Sequence, residues 1–208
     1  MAQAEAAAHG SGHPTNTGTD NRKLLMWLFL ASDCLFFGAL IATYLIFKGE
    51  PFDQVNAEGV LLIPANILDV PITSQSTFVL LMSSVTMVLA VYGAQHGRLK
   101  MMKAWLLATI VLGLTFLGYQ AFEFSTFVSE GLTLGANQFG ASFFVLTGFH
   151  GTHVAVGVLY LGSILAASFR RNGLGPEAGF HVELSGLYWH FVDIVWIIIF
   201  TIVYLIPS

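Results

Sequence analysis

Two ionisable side chains lie within an apolar run near the C-terminal end of the chain. The run covers residues 187–206 and contains His190 and Asp193, with Glu183 seven residues before the histidine. Such groups cost roughly 2.5–3.5 kcal/mol at the centre of a membrane helix, so they usually face protein and pair with another group. Because positions i and i+3 share a helix face, the histidine and the aspartate can contact each other or one common partner. This pattern favours a packing network between helices over a proton relay.

A second pair, His150 and His153, lies in the apolar run 139–168 with the same spacing. Two histidines could ligate a metal, but a tight site usually needs three or four ligands held by ordered neighbours. Small residues surround this pair, and small residues allow two membrane helices to approach closely. The sequence therefore favours hydrogen bonding between helices over a metal or haem site. The small residues expected at this contact are Gly148, Gly151, Thr152, Ala155 and Gly157.

Two acids lie inside other apolar runs. Asp33 follows Lys23 by ten residues, or roughly 15 Å along a helix, which places it close to mid-bilayer. It is either a proton-exchanging or interface carboxyl or a protonated, hydrogen-bonded packing residue, because an unpaired buried carboxylate would be neutralised. Glu123 lies near the outer end of its run, where a structural hydrogen bond is favoured.

The remaining candidates point away from catalysis by this chain. Trp189 and Trp196 lie too deep to be interface anchors alone, so we expect buried packing or lipid contact. Cys34 is the only cysteine, which excludes an intrachain disulfide and a Cys-x-x-Cys site. The sequence holds no Walker motif, nucleophile elbow or Rossmann glycine pattern. We therefore predict no catalytic residue and no metal site.

The composition indicates an integral membrane protein. Of 208 residues, 55% are hydrophobic and 10% are charged, and the mean hydropathy is +0.73. A soluble domain carries about 25% charged residues. The net charge of −4 and the lack of a basic cluster argue against a nucleic-acid surface. We predict an all-α bundle of five transmembrane helices, with spans at about 24–47, 77–96, 104–127, 139–168 and 185–206.

Charge and composition outside the spans predict the orientation and the domain organisation. Seven of the eight basic residues fall on one side of a five-span arrangement, and Lys48 alone falls on the other. This bias predicts a cytoplasmic N-terminus and a C-terminus on the outer, periplasmic face. We predict a disordered tail over residues 1–20 and a single transmembrane domain over residues 21–208. Within that domain we expect a compact loop or short interfacial helix over residues 48–76.

Five motifs occur in order along the chain. They are SDCLFFGALIATY, SSVTMVLA, GYQAFEF, TGFHGTHVAVG and YWHFVDIVW, one in each span. Together they resemble subunit III of the haem-copper terminal oxidases over residues 22 to 206, and the last two are the specific ones. Longer members have seven helices, so the chain resembles the five-helix bacterial form. Asp33 stands where many members have glutamate.

The resemblance implies a non-catalytic subunit of a proton-pumping oxidase in the bacterial inner membrane. It implies that partner subunits I and II carry the haems and copper that reduce O₂ with electrons from cytochrome c or quinol. This chain would bind no cofactor, stabilise subunit I, support proton uptake and bind phospholipid. A small subunit IV would cover the open flank, and the complex could join a respiratory supercomplex. The polar positions carried over by motif are Glu123, His150, His153, Glu183, His190 and Asp193.

Two other functions remain open from the sequence. A five-helix branch of the same family serves nitric oxide reductase, so an accessory subunit of that enzyme is one alternative. A stand-alone haem or metal membrane protein that uses His150, His153 and His190 is the other. A visible-region spectrum of the isolated chain separates the second from a subunit without a redox centre.

Overall fold

Five long helices form the described part of the chain, which covers residues 20–48, 70–129, 132–135, 138–170 and 174–206 of the computed structural model. Each helix is long and apolar enough to cross a membrane, so the predicted all-helical bundle of five spans is confirmed. The helices are α1 (Asn21–Phe47), α2 (Val70–Gln95), α3 (Leu99–Ser129), α4 (Gln138–Ser168) and α5 (Ala178–Phe200). A 3₁₀ turn, Gly175–Glu177, precedes α5, and a π-helical turn, Thr201–Leu205, continues it.

Several helices begin before the apolar runs that predicted them. α2 begins at Val70, so the predicted boundary of the loop at residue 76 is wrong. Pro71 stands in the first turn, where the N–H that it lacks has no partner within the helix. Thr73 and Ser76 lower the hydropathy of this turn, which explains why an apolar window misses it. The predicted loop over 49–69 and the predicted tail over 1–19 lie outside the described residues.

α5 is the helix around which the others are arranged, because it packs on α1, α2 and α4. α2 and α3 form a tight hairpin, and α3 also packs on α4. Gly97 makes the hairpin turn with a φ of 68°, a conformation that suits glycine. Its N–H donates to the carbonyl of Ala94 and the N–H of Arg98 to that of Gly93, which is the Schellman pattern of a helix end.

The indole of Trp189 on α5 fills the space where α3 and α4 approach it. The ring is 1% exposed. A Cβ added at Gly113 of α3 would lie 2.7 Å from Trp189 Cη2, and one added at Gly157 of α4 would lie 2.9 Å from Cζ3. Both positions must therefore be glycine for the indole to lie where it does. The Trp189 side chain of α5 thus packs against both α3 and α4.

α1 is the least enclosed helix. Its buried residues are Leu30, Phe37 and Tyr44, which recur every seven residues and form one narrow seam. This seam packs chiefly on α4 and α5. The rest of α1 presents apolar side chains outward, including Leu35 at 79% exposure, as expected for a helix that faces lipid or another subunit.

Candidate functional site

The structure brings Asp33 of α1 against His153 of α4. Asp33 Oδ2 lies 3.6 Å from His153 Nε2, and both side chains are largely buried. His153 Nδ1 lies 2.8 Å from the carbonyl oxygen of Phe149, so Nδ1 carries a hydrogen and donates it. Its Nε2 is therefore the ring nitrogen that faces the carboxyl group, and the two side chains form a polar contact between α1 and α4.

Aromatic residues enclose this pair. The ring of Phe37 lies 5.0 Å from the His153 ring, edge to face, and the Tyr188 hydroxyl donates to the His153 carbonyl at 3.0 Å. A groove of about 290 Å³ begins beside His153. Its other lining residues are Met26, Phe29, Thr152, Val156, Tyr160 and Tyr188. The pair thus lies at the side of an apolar groove between α1 and the α4–α5 pair.

His190 and Asp193 of α5 share one partner, Ser84 of α2. The Ser84 hydroxyl donates to Asp193 Oδ2 and lies 2.9 Å from His190 Nδ1. The expected common partner is therefore a serine on a neighbouring helix. Asp193 is 3% exposed, and its other oxygen, Oδ1, has no hydrogen-bond partner among the described residues. This cluster ties α5 to α2 in the middle of the bundle.

Glu183 does not join that cluster. Its Oε1 lies 2.5 Å from Lys23 Nζ, an ion pair between the start of α5 and the start of α1. Next to it, Arg22 Nη1 lies 2.9 Å from Glu177 Oε2, and Arg22 Nη2 lies 3.2 Å from Asp20 Oδ2. Hydrogen bonds from Arg22 hold the pKa of Glu177 and the pKa of Asp20 below their ordinary values. The polar face predicted from the sequence is therefore two separate groups, one at the end of the bundle and one inside it.

His150 lies in the centre of the bundle and is fully buried. Its Nε2 donates to the carbonyl of Val192 on α5 at 3.2 Å, and its ring packs 4.7 Å from Trp196. Its Nδ1 has no hydrogen-bond partner in the described part of the chain. His150 and His153 therefore face different neighbours, and no group of three His, Cys, Asp or Glu side chains among the described residues could hold a metal.

A third polar cluster lies at the opposite end of the bundle from Lys23. Glu123 of α3 is 5% exposed and accepts a hydrogen bond from the Thr73 hydroxyl of α2. Tyr204, in the π-helical turn after α5, hydrogen-bonds to the same two side chains. Lys48 follows α1 and donates to the carbonyl of Ile202 at 2.6 Å. The structure thus connects Glu123 to α2 and to the end of α5, as a structural hydrogen bond requires.

The small residues of α4 have different surroundings. Gly157 lies against Trp189, and a Cβ at Gly151 would lie 2.9 Å from Gln120 Oε1 of α3. Around Gly148 there is ordinary space, with Phe124 at 3.9 Å. Thr152 is exposed and donates to the carbonyl of Gly148 in its own helix, so it makes no polar bond to another helix. Close approach between helices depends on Gly151 and Gly157.

The hydroxyl residues of α2 are the functional positions that sequence reasoning missed. Ser83 accepts the Trp189 indole N–H at 2.9 Å, and Thr77 accepts the Trp196 indole N–H at 3.0 Å. Both indoles are enclosed by protein, so the structure gives them buried packing and not lipid contact. The signal was available, because Thr73, Thr77 and Ser84 recur at helical spacing through an otherwise apolar span.

Comparison with known proteins identifies the family. The model of the family described as cytochrome c oxidase subunit III matches residues 3–208. The chain belongs to the cytochrome c oxidase subunit III family. Quinol oxidase subunit 3 of Bacillus spizizenii is 38% identical over 206 residues, which is 97% of each chain. Cytochrome c oxidase subunit 3 of Bacillus sp. (strain PS3) is 36% identical over 185 residues, 89% of this chain and 86% of the relative.

A further relative is the probable quinol oxidase subunit 3 of Staphylococcus aureus (strain USA300), 34% identical over 203 residues. Its alignment covers 93% of this chain and 96% of the relative. With five apolar helices and bacterial relatives, this member of the cytochrome c oxidase subunit III family is a multi-pass bacterial membrane protein. Family membership also implies association with other oxidase subunits.

Proposed function

We propose that the chain is subunit III of a proton-pumping haem-copper oxidase that takes electrons from quinol or cytochrome c and reduces O₂ to water. The match to the family over residues 3–208 carries this proposal. Relatives named quinol oxidase subunit 3 and cytochrome c oxidase subunit 3 support it, and they do not favour a nitric oxide reductase accessory subunit. Haem and copper supply the electron transfer to O₂ and lie in partner subunits I and II.

The role of this chain in the complex is structural support of subunit I. Interhelical hydrogen bonds hold several of its intramembrane polar groups, such as His150 on Val192 and Glu123 with Thr73. A bundle held together in this way presents a defined outer surface to a neighbour. The exposed flank of α1 is the surface for a small subunit IV, and the complex is able to enter a larger respiratory assembly.

The orientation that fits this role places residue 20 on the cytoplasmic side. The start of α1, the α2–α3 turn, the end of α4 and the start of α5 all lie at one end of an alternating bundle. Six described basic residues have this location: Arg22, Lys23, Arg98, Lys100, Lys103 and Arg170. Contacts such as Lys23 with Glu183 support the common location of these ends.

The Asp33–His153 pair supports proton uptake. Its two ionisable side chains lie 3.6 Å apart inside the membrane, where such groups commonly belong to proton pathways. The neighbouring groove of about 290 Å³ is apolar and opens beside α1, which suits the acyl chain of a phospholipid. Bound phospholipid there would shield the pair from the surrounding bilayer.

Purification of the complex tests the proposal. A tag on this chain in its native host, followed by extraction in mild detergent, should recover a large haem- and copper-containing subunit together with oxygen uptake. The visible spectrum of the chain released from the complex should lack a haem band. Recovery of the chain without a haem-copper subunit, or with a nitric oxide reductase, would contradict the proposal.

A further inference from the structure

We infer that the outer face shared by α2 and α5 is covered by a transmembrane helix of a partner subunit that donates a hydrogen bond to His190 Nε2. The inference rests on the proposed function, because it names the contact surface of the chain in the oxidase. It begins from one polar atom in the middle of an apolar face.

The tautomer of His190 follows from its neighbours. Ser84 has one hydroxyl hydrogen and donates it to Asp193 Oδ2. Ser84 Oγ can therefore only accept from His190 Nδ1, which lies 2.9 Å away and must carry the ring hydrogen. Nε2 is then an unprotonated acceptor, and within the described residues it makes no hydrogen bond.

The depth of His190 excludes water and lipid headgroups as regular partners. The span runs from Ala178 to Leu205, so His190 lies about 18 Å from its start and about 22 Å from its end along a helix. The hydrocarbon core of a bilayer is about 30 Å thick, which places the ring near its centre. An acceptor at that depth without a donor is costly, so polar groups there usually meet protein.

Other outward-facing polar groups form hydrogen bonds within their own helix. The hydroxyls of Ser32, Thr115 and Ser163 each donate to a carbonyl three or four residues earlier in the same helix. An imidazole nitrogen that only accepts cannot use a helix carbonyl in this way. His190 is half-buried, and its Nε2 needs a donor from outside the chain.

Apolar side chains surround His190 on this face. They follow one stripe on each helix, and they are 39–57% exposed. The six residues, together with His190, define the α2–α5 face: Leu81, Val85, Val88, Ile194, Ile197 and Ile198. A single hydrogen-bonding group within an apolar surface is the usual form of a contact between membrane helices.

A second copy of the chain does not fit the α2–α5 face. A twofold contact brings the same surface of each copy together, so His190 Nε2 of one copy would meet only the acceptor Nε2 or the apolar side chains of this face on the other. None of the six residues around His190 carries a donor. The occupant is therefore a different helix, with a hydroxyl, amide or indole donor at mid-membrane depth.

Site-specific photocrosslinking in the intact oxidase tests this inference. A benzophenone amino acid replaces Ile194 or Val85 on the α2–α5 face, or Leu114 on α3 as the control. The control is matched, because Ile194 is 57% exposed, Leu114 is 53% exposed, and both lie near the middle of their helices. We expect adducts with another oxidase subunit from Ile194 and Val85 at a yield at least tenfold above that from Leu114.

The other outcomes are distinct. An adduct between two copies of this chain, or equal yields from Ile194 and Leu114, overturns the inference while the proposed function stands. So does the absence of any adduct from Ile194 when the chain still co-purifies with the complex. If the chain does not co-purify, the proposed function fails first and the inference fails with it.

The hydrogen bond itself is tested by two substitutions at His190. H190Q keeps an acceptor on the side chain, whereas H190L removes it. We expect H190L to lower the retention of this subunit after a detergent wash at least fivefold, and H190Q to lower it less than twofold. Equal retention for H190L and the wild type, with the haems unchanged, would overturn the donor contact.

Discussion

The ammonium group of Lys48 lies 2.6 Å from the carbonyl oxygen of Ile202, at the point where α5 changes to its π-helical turn. Lys48 also donates to the carbonyl of Ile206 at 2.5 Å. Cations are favourable at the C-terminal end of a helix, where carbonyls lack helical partners. Because Lys23 pairs with Glu183 at the other end, α1 is fastened to α5 at both of its ends.

Removal of the Lys48 contact should loosen the end of α5. Lys48→Met keeps most of the stem and loses both hydrogen bonds, each worth about 1.5–3 kcal/mol for a charged donor. We expect a lower thermal stability of the purified complex and faster proteolysis near residue 206. Lys100→Met is the control, because Lys100 is exposed. Equal losses for the two variants would contradict the assigned contact.

Substitution of Gly113 should disturb the packing of Trp189. Gly113→Ala places a methyl group 2.7 Å from the indole, and such overpacking costs about 1–3 kcal/mol. Gly118→Ala in the same helix has open space around the new methyl group, so it should be neutral or slightly stabilising. Thermal denaturation of the complex compares them, and a neutral Gly113→Ala would show that the ring moves without cost.

The Asp33–His153 pair should behave as one unit. Asp33→Ala should leave the haem spectrum of the complex unchanged while it slows oxygen turnover severalfold or weakens retention of this subunit. Because the two side chains are direct neighbours, Asp33→Asn and His153→Gln should be non-additive, with a coupling of about 0.5–3 kcal/mol in a double-mutant cycle. Additive effects, or loss of haem, would contradict the pairing.

Acid should release the first turn of α1. The pKa values of Asp20 and Glu177 lie below their ordinary values of 3.8 and 4.5 in the fold. The stability that these two carboxylates contribute to the fold is therefore fully present when the pH is above their ordinary pKa values. It is lost as the pH falls through their lowered pKa values. The protection of the amides in residues 22–24, measured as exchange rates corrected for the intrinsic pH dependence, should fall as the pH drops below 4.5. The fall should be smaller in Arg22→Gln. These groups are exposed, so salt should reduce the effect.

The sequence could predict the spans because a run of apolar residues depends on little besides the bilayer. It could also predict that His190 and Asp193 contact each other or one common partner, since i,i+3 geometry is local. It could not predict that the partner is Ser84, because the rotation of α2 against α5 depends on packing around Trp189. For the same reason the spacing predicts Glu183 and His190 on one polar face, whereas Glu183 forms an ion pair with Lys23 from the other end of the chain. Local spacing gives a face of a helix, and tertiary contacts decide which helix meets that face.

The fastening of α1 to α5 at both ends has a consequence for biogenesis. α1 is synthesised before α5, yet it depends on α5 for the contacts of Lys23 and Lys48, and its narrow seam meets α4 and α5. During synthesis α1 lacks its contacts to α5 until the three intervening spans have been inserted. A nascent chain that stops before Glu183 thus lacks the partners of both Lys23 and Lys48, and its α1 has neither of the end contacts that hold it on α5.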